Sequence, residues 1–99
     1  MITKKYVKTR KVTKVTFEHP ADVEVDAIEL VSDRTDWEPV AFDRLKNGKW
    51  KLVHELGPGD RMQFRYRAVK DGSVAWWDDA DADAFVPNGH GARNGVVAG

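Results

Sequence analysis

The sequence predicts an all-β domain, an immunoglobulin-like β-sandwich of about seven short strands. Three observations carry this. Apolar residues recur with a period of two rather than 3.6. Glycine, proline and asparagine clusters punctuate the chain at short intervals. No segment carries a convincing helical pattern, although Ala80 to Phe85 has room for one irregular turn. Short strands at this spacing close into a sandwich, an open barrel being the other arrangement.

The elements follow in order. Val15 and Phe17 alternate with Lys14, Thr16 and Glu18. Val12 breaks that phase and predicts a bulge or strand change between Val12 and Val15. Ile28 and Leu30 face one way, Glu29 the other. Lys46-Asn47-Gly48-Lys49 carries the Asn-Gly pair of tight hairpins, whose central residues both take positive φ. Trp50, Leu52 and Leu56 then alternate with Lys49, Lys51 and Glu55, with His54 in the inward register. Gly57-Pro58-Gly59-Asp60 is a second turn, in which Pro presets φ and Gly supplies the reversal. Met62, Phe64, Tyr66 and Ala68 alternate with Arg61, Gln63, Arg65 and Arg67, the pattern of a strand with one wet face. Lys70-Asp71-Gly72-Ser73 is a third turn, followed by strands at Val74–Trp77 and Gly95–Ala98.

The chain has 99 residues, enough for one domain with one modest core. Residues 1–11 read as a basic arm or edge strand, and 12–99 as the single sandwich. Lysine plus arginine equals aspartate plus glutamate, 16 against 16. Zero net charge counts against a whole-molecule attraction to nucleic acid or anionic lipid, and makes nucleic acid an unfavoured partner. There is no cysteine, which excludes disulfides and thiolate metal sites and fits a reducing compartment. No apolar run has the length of a signal peptide or membrane span, so the expectation is a cytoplasmic protein. Asp78, Asp79, Asp81 and Asp83 lack the glycine and closing glutamate of an EF-hand loop and read as a solvated loop.

The four tryptophans are the informative residues. Trp50 lies on an inward register and reads as a core anchor. Trp37 lies in the polar segment Ser32-Asp33-Arg34-Thr35-Asp36-Trp37-Glu38-Pro39. An indole there either folds back onto the core or serves as a contact platform. Trp76 and Trp77 are adjacent, so on a strand one enters the core and the other looks outward. Flat exposed rings suit sugars, because the CH face of a pyranose stacks on indole while flanking polar groups reach the hydroxyls.

These residues also form an ordered series. Leu30 to Trp37 is followed by Gly48-Lys49-Trp50, Pro58-Gly59 and Gln63-Phe64-Arg65-Tyr66-Arg67. Asp71-Gly72, Trp76-Trp77-Asp78-Asp79, Val86-Pro87-Asn88 and Gly91-Ala92-Arg93-Asn94-Gly95-Val96-Val97 complete it. The series resembles the family 48 carbohydrate-binding modules, the glycogen-binding and isoamylase N-terminal early-set domains, over about residues 12 to 98. The resemblance implies an early-set sandwich that binds α-1,4/α-1,6-glucan without catalysis, as an accessory module of a glycoside hydrolase or branching enzyme. It places the sugar platform on Trp37 and Trp76, the basic hydrogen-bonding position on Arg65 and the asparagine on Asn94. His90 falls at a neighbouring site. Trp77 then faces the core. The chain departs from the family at Ser32-Asp33-Arg34-Thr35, where Gly-x-Phe-Asn is usual, and at Arg65, where lysine is usual. The other role the resemblance implies is an interaction domain that packs against a glucan-processing enzyme or itself.

No catalytic constellation is visible. Glycoside hydrolysis needs two carboxylates across a cleft, and Glu18, Glu29, Glu38 and Glu55 sit in no recognisable motif. There is no Gly-x-Ser-x-Gly elbow or phosphate-binding glycine loop. His19, His54 and His90 match no common metal spacing. The expectation is a non-enzyme with no cofactor and no metal.

Overall fold

The computed structural model describes residues 1–89 and 91–99 and, among these, places ten strands in two antiparallel sheets. The first sheet contains β1 (Ile2–Val7), β2 (Val12–His19), β6 (Trp50–Leu56) and β5 (Asp43–Arg44), in that order. The second runs β4 (Val40–Ala41), β3 (Ala27–Ser32), β7 (Arg61–Lys70), β10 (Arg93–Ala98) and β9 (Ala84–Pro87), and β8 (Ser73–Trp77) also pairs with β7. The ten-residue β7 organises this sheet. One edge pairs with β3; the other pairs with β10 through Phe64 and with β8 from Tyr66 onward.

The two sheets bury their alternating apolar faces against each other. Val15, Phe17, Trp50, Leu52 and Leu56 of the first sheet meet Ile28, Leu30, Met62, Phe64, Tyr66 and Val97 of the second. Phe42 lies where the chain crosses between sheets, and its amide donates to Ile28 O at 2.9 Å. The ring of Phe17 meets those of Phe64 and Tyr66 edge-on, with centroids 5.2 and 6.2 Å apart. Such pairs add to the burial energy of the rings themselves.

The turns behave according to their chemistry. Asp60 N–H donates to Gly57 O at 3.1 Å with Gly59 at φ 75°, as a proline-glycine turn requires. Asp71 and Gly72 both take positive φ, 49° and 78°, and join β7 to β8 by a two-residue hairpin. At Asn47-Gly48 only the glycine takes positive φ, 86°. The loop is one residue longer than the tight form, with Gly48 N–H bonded to Leu45 O and Leu45 N–H to Lys49 O.

Three expectations are corrected. No bulge interrupts β2, which pairs in continuous register with β1 from Val12 and with β6 from Thr13. Val12 instead lies opposite Val7 beside the turn, both half-buried. The segment 80–85 holds a short turn and then enters β9, an edge strand ending in proline. The aspartate cluster is not uniformly solvated, because Asp79 is buried. Its Oδ2 accepts from Tyr66 Oη at 2.7 Å and from the Met1 nitrogen at 3.2 Å, and its Oδ1 accepts from Asp81 N–H at 2.9 Å. Burial alone raises a carboxyl pKa; here these donors outweigh it and hold Asp79 below its ordinary value. Among the described residues, no helix is long and apolar enough to cross a membrane.

Candidate functional site

The outward face of the second sheet carries the site. Inward Met62, Phe64, Tyr66 and Ala68 are buried, which turns Gln63, Arg65 and Arg67 to the opposite face. Arg65 lies opposite Val31 of β3, and Arg67 opposite Trp76 of β8. Trp76 and Arg65 are therefore diagonal neighbours across the sheet, within reach of long side chains. The Arg65 guanidinium carbon sits 5.5 Å from the Trp76 ring centroid, a cation–π distance. Trp76 is 48% exposed, whereas Trp77 packs half-buried against the core with its ring 5.6 Å from His19.

Trp37 reaches the same face from a loop. Ser32, fully buried, ends β3, and a 3₁₀ turn over Asp33–Thr35 follows. Asp36 and Trp37 then both adopt left-handed backbone, at φ 53° and 62°. That conformation is unfavourable for a bulky L-residue by about 1–2 kcal/mol. Hydrogen bonds hold it. Trp37 N–H donates to Ser32 O at 2.7 Å, and Thr35 Oγ1 contacts both Ser32 O and Glu38 O. Asp33 Oδ1 accepts from Gln63 N–H at 3.1 Å, which ties the loop to β7. The Trp37 indole is left 45% exposed.

Asn94 enters from β10. Its side chain is nearly buried, and its Nδ2 donates to Gln63 Oε1 at 3.3 Å. Trp37, Arg65, Trp76 and Asn94 all line one groove of about 540 Å³, together with Val31, Gln63, Pro87 and Asn88. Of the residues singled out in the sequence, these four are thus brought together; His90 lies outside the described residues. Gln63 and Asn88 were not singled out. The alternation that turns Arg65 outward also turns Gln63 outward, two residues earlier on the same strand, so its place was readable.

Most of the charge around the groove is paired, with one cation in excess. Arg67 pairs with Glu29, and Asp78 faces both Arg65 and Arg93. Histidine takes no part in it among the described residues. His19 is an aromatic neighbour of the core, its ring 4.3 Å from that of Tyr66, and burial lowers its pKa to about 4. His54 is half-buried in β6, and its pKa is lowered by burial and then by nearby Arg34. Among the described residues no group of three or more His, Asp or Glu side chains is placed to hold a metal ion. The arrangement offers two flat apolar rings, a guanidinium and three carboxamides around one open space. That set has the chemistry to stack on a flat apolar face and to hydrogen-bond to polar groups around it.

No family model matches the sequence, and no curated protein matches it. Among solved structures, the whole chain is similar to part of the catalytic module of the multi-modular glycogen-degrading pneumococcal virulence factor SpuA, determined in complex with an inhibitor. The TM-score is 0.61 at 15% sequence identity, and the chain covers 100% of its own length but 16% of that module. At this identity the likeness shows a shared fold, that of a small β-domain within a much longer chain.

Proposed function

We propose that this chain is a non-catalytic module that binds α-glucan, namely glycogen, starch or malto-oligosaccharide. The observation that carries the reading is the grouping of Trp37, Trp76, Arg65 and Asn94 around one groove on the outward sheet face. The two indoles stack on the apolar faces of glucose units. Arg65 and Asn94 engage hydroxyls and fix orientation. Each partly covered ring contributes about 1–3 kcal/mol before the cost of association. A two-ring site therefore holds an oligosaccharide in roughly the millimolar to micromolar range, and polymer binding gains by multivalency. Two further observations support the reading: the ordered residue series that resembles the family 48 carbohydrate-binding modules, and a fold shared with part of a glycogen-degrading enzyme. The small share of that enzyme covered fits an accessory role beside a separate catalytic unit. Absence of cysteine fits a cytoplasmic setting.

The test is a titration with maltoheptaose followed by tryptophan fluorescence and amide NMR shifts. The expected result is a saturable change centred on β7, β8 and the Trp37 loop, weakened at least about tenfold in Trp76→Ala with core resonances unmoved. If millimolar maltoheptaose moves nothing, the glucan reading is lost. The same aromatic surface is then a protein-packing face, whose signature is concentration-dependent sedimentation or capture of a glucan-processing enzyme.

A further inference from the structure

We infer that Asp78 is the positioning residue of this groove: it fixes the Arg65 guanidinium against Trp76 at the seam where β7 changes partners. Its consequence for binding rests on the glucan reading above. Along one edge, β7 is paired with β10 as far as Phe64 and with β8 from Tyr66 onward, and Arg65 falls between the two ladders. The ends of β8 and β10 are not paired with each other there, and a side chain closes the gap. Asp78 lies one residue past β8, and Arg93 is the first residue of β10.

The two carboxylate oxygens are divided between the arginines. Oδ2 accepts from Arg93 Nε at 3.1 Å, and Oδ1 lies 3.8 Å from Arg65 Nε. The longer distance is a charge contact rather than a hydrogen bond. Arg65 Nε is itself buried and lacks a hydrogen-bond partner, so charge attraction to Asp78 on one side and the Trp76 ring on the other hold the group. An arginine already restrained gives up less rotamer freedom when a ligand arrives. Asp78 therefore raises affinity without touching sugar. Arg93 competes with Arg65 for the same carboxylate, and its own guanidinium packs over Phe85 at 3.9 Å, outside the groove wall.

Asp78 is partly exposed, so the isosteric Asp78→Asn keeps the fold, and core amide resonances verify that. Two readouts separate this role from the glucan reading. The first needs no sugar: in Asp78→Asn the Arg65 Nε–H resonance shifts and exchanges faster with solvent. The second is maltoheptaose affinity, which falls about three- to tenfold in Asp78→Asn. It does not fall further when Asp78→Asn is added to Arg65→Gln, and it is unchanged or tighter in Arg93→Gln. An unmoved Arg65 Nε–H in Asp78→Asn overturns the clamp even when wild-type chain binds glucan. An equal loss in the Arg65→Gln background also overturns it, because Asp78 then acts through something else. A wild-type chain silent to maltoheptaose overturns the glucan reading and the binding role with it, and the resonance still reports on the clamp.

Discussion

Tyr66 is fully buried, and its phenol survives there because the hydroxyl keeps a charged partner. Burial first, and then the hydrogen bond to Asp79, push its pKa far up, so it stays protonated and donates. Removing the hydroxyl leaves the Asp79 carboxylate buried with one donor fewer. Tyr66→Phe is therefore expected to cost about 1–3 kcal/mol, read as a lower urea midpoint at unchanged slope. His19 sets the acid response beside it. Its folded-state value near 4 lies below the unfolded 6.5, so the unfolded chain binds the proton first. The contribution is complete above pH 6.5 and is lost as pH falls towards 4. Because the imidazole is partly hydrated, the loss is on the order of 1–2 kcal/mol. Asp79 and Asp83, both held below 3.8, add their loss at still lower pH. Urea midpoints taken between pH 7 and 4 check this, and His19→Gln is expected to flatten the upper part of the curve.

Among the strands, legibility followed burial on one face. β7 could be read outright, because every second residue from Met62 to Ala68 is buried and the intervening ones are polar. β4 and β5, two residues each and exposed, carry no period at all. β9 was hidden for a related reason: as an edge strand it has no fully buried residue, and an aspartate-rich turn precedes it. The site shows the same division. Arg65 was readable as an outward residue because strand parity sets its direction; parity says only that Trp76 and Trp77 face opposite ways, and it was the resemblance that assigned Trp76 outward. The pose of Trp37 was not, since it depends on two consecutive left-handed residues that contain no glycine. β10 shows how tightly these strands are fitted. A Cβ at Gly95 meets Phe64 ring carbons at 3.0 Å and Ala82 Cβ at 3.2 Å. Gly95→Ala is expected to cost about 1–3 kcal/mol in thermal or urea unfolding and, being next to Asn94, to disturb the groove lining as well.

For the molecule as a whole, the balance of 16 basic and 16 acidic residues makes a clear statement about ligands. A neutral glucan on a neutral protein releases few counterions. Maltoheptaose affinity is expected to change less than about twofold between low salt and 0.5 M salt, whereas a polyanion would lose orders of magnitude. Isothermal titration across that range distinguishes the two.

The hairpin of β7 and β8 has a consequence of its own. Its Asp71-Gly72 tip is exposed, and a Cβ at Gly72 meets nothing within 4 Å. Beyond Arg65 this arm hangs on β3 alone, free of β10. Inserting residues two at a time on each side of the tip would extend the arm while preserving which side chains look outward. An engineer thus has a ruler for placing a third aromatic ring on the outward side, in line with Trp76.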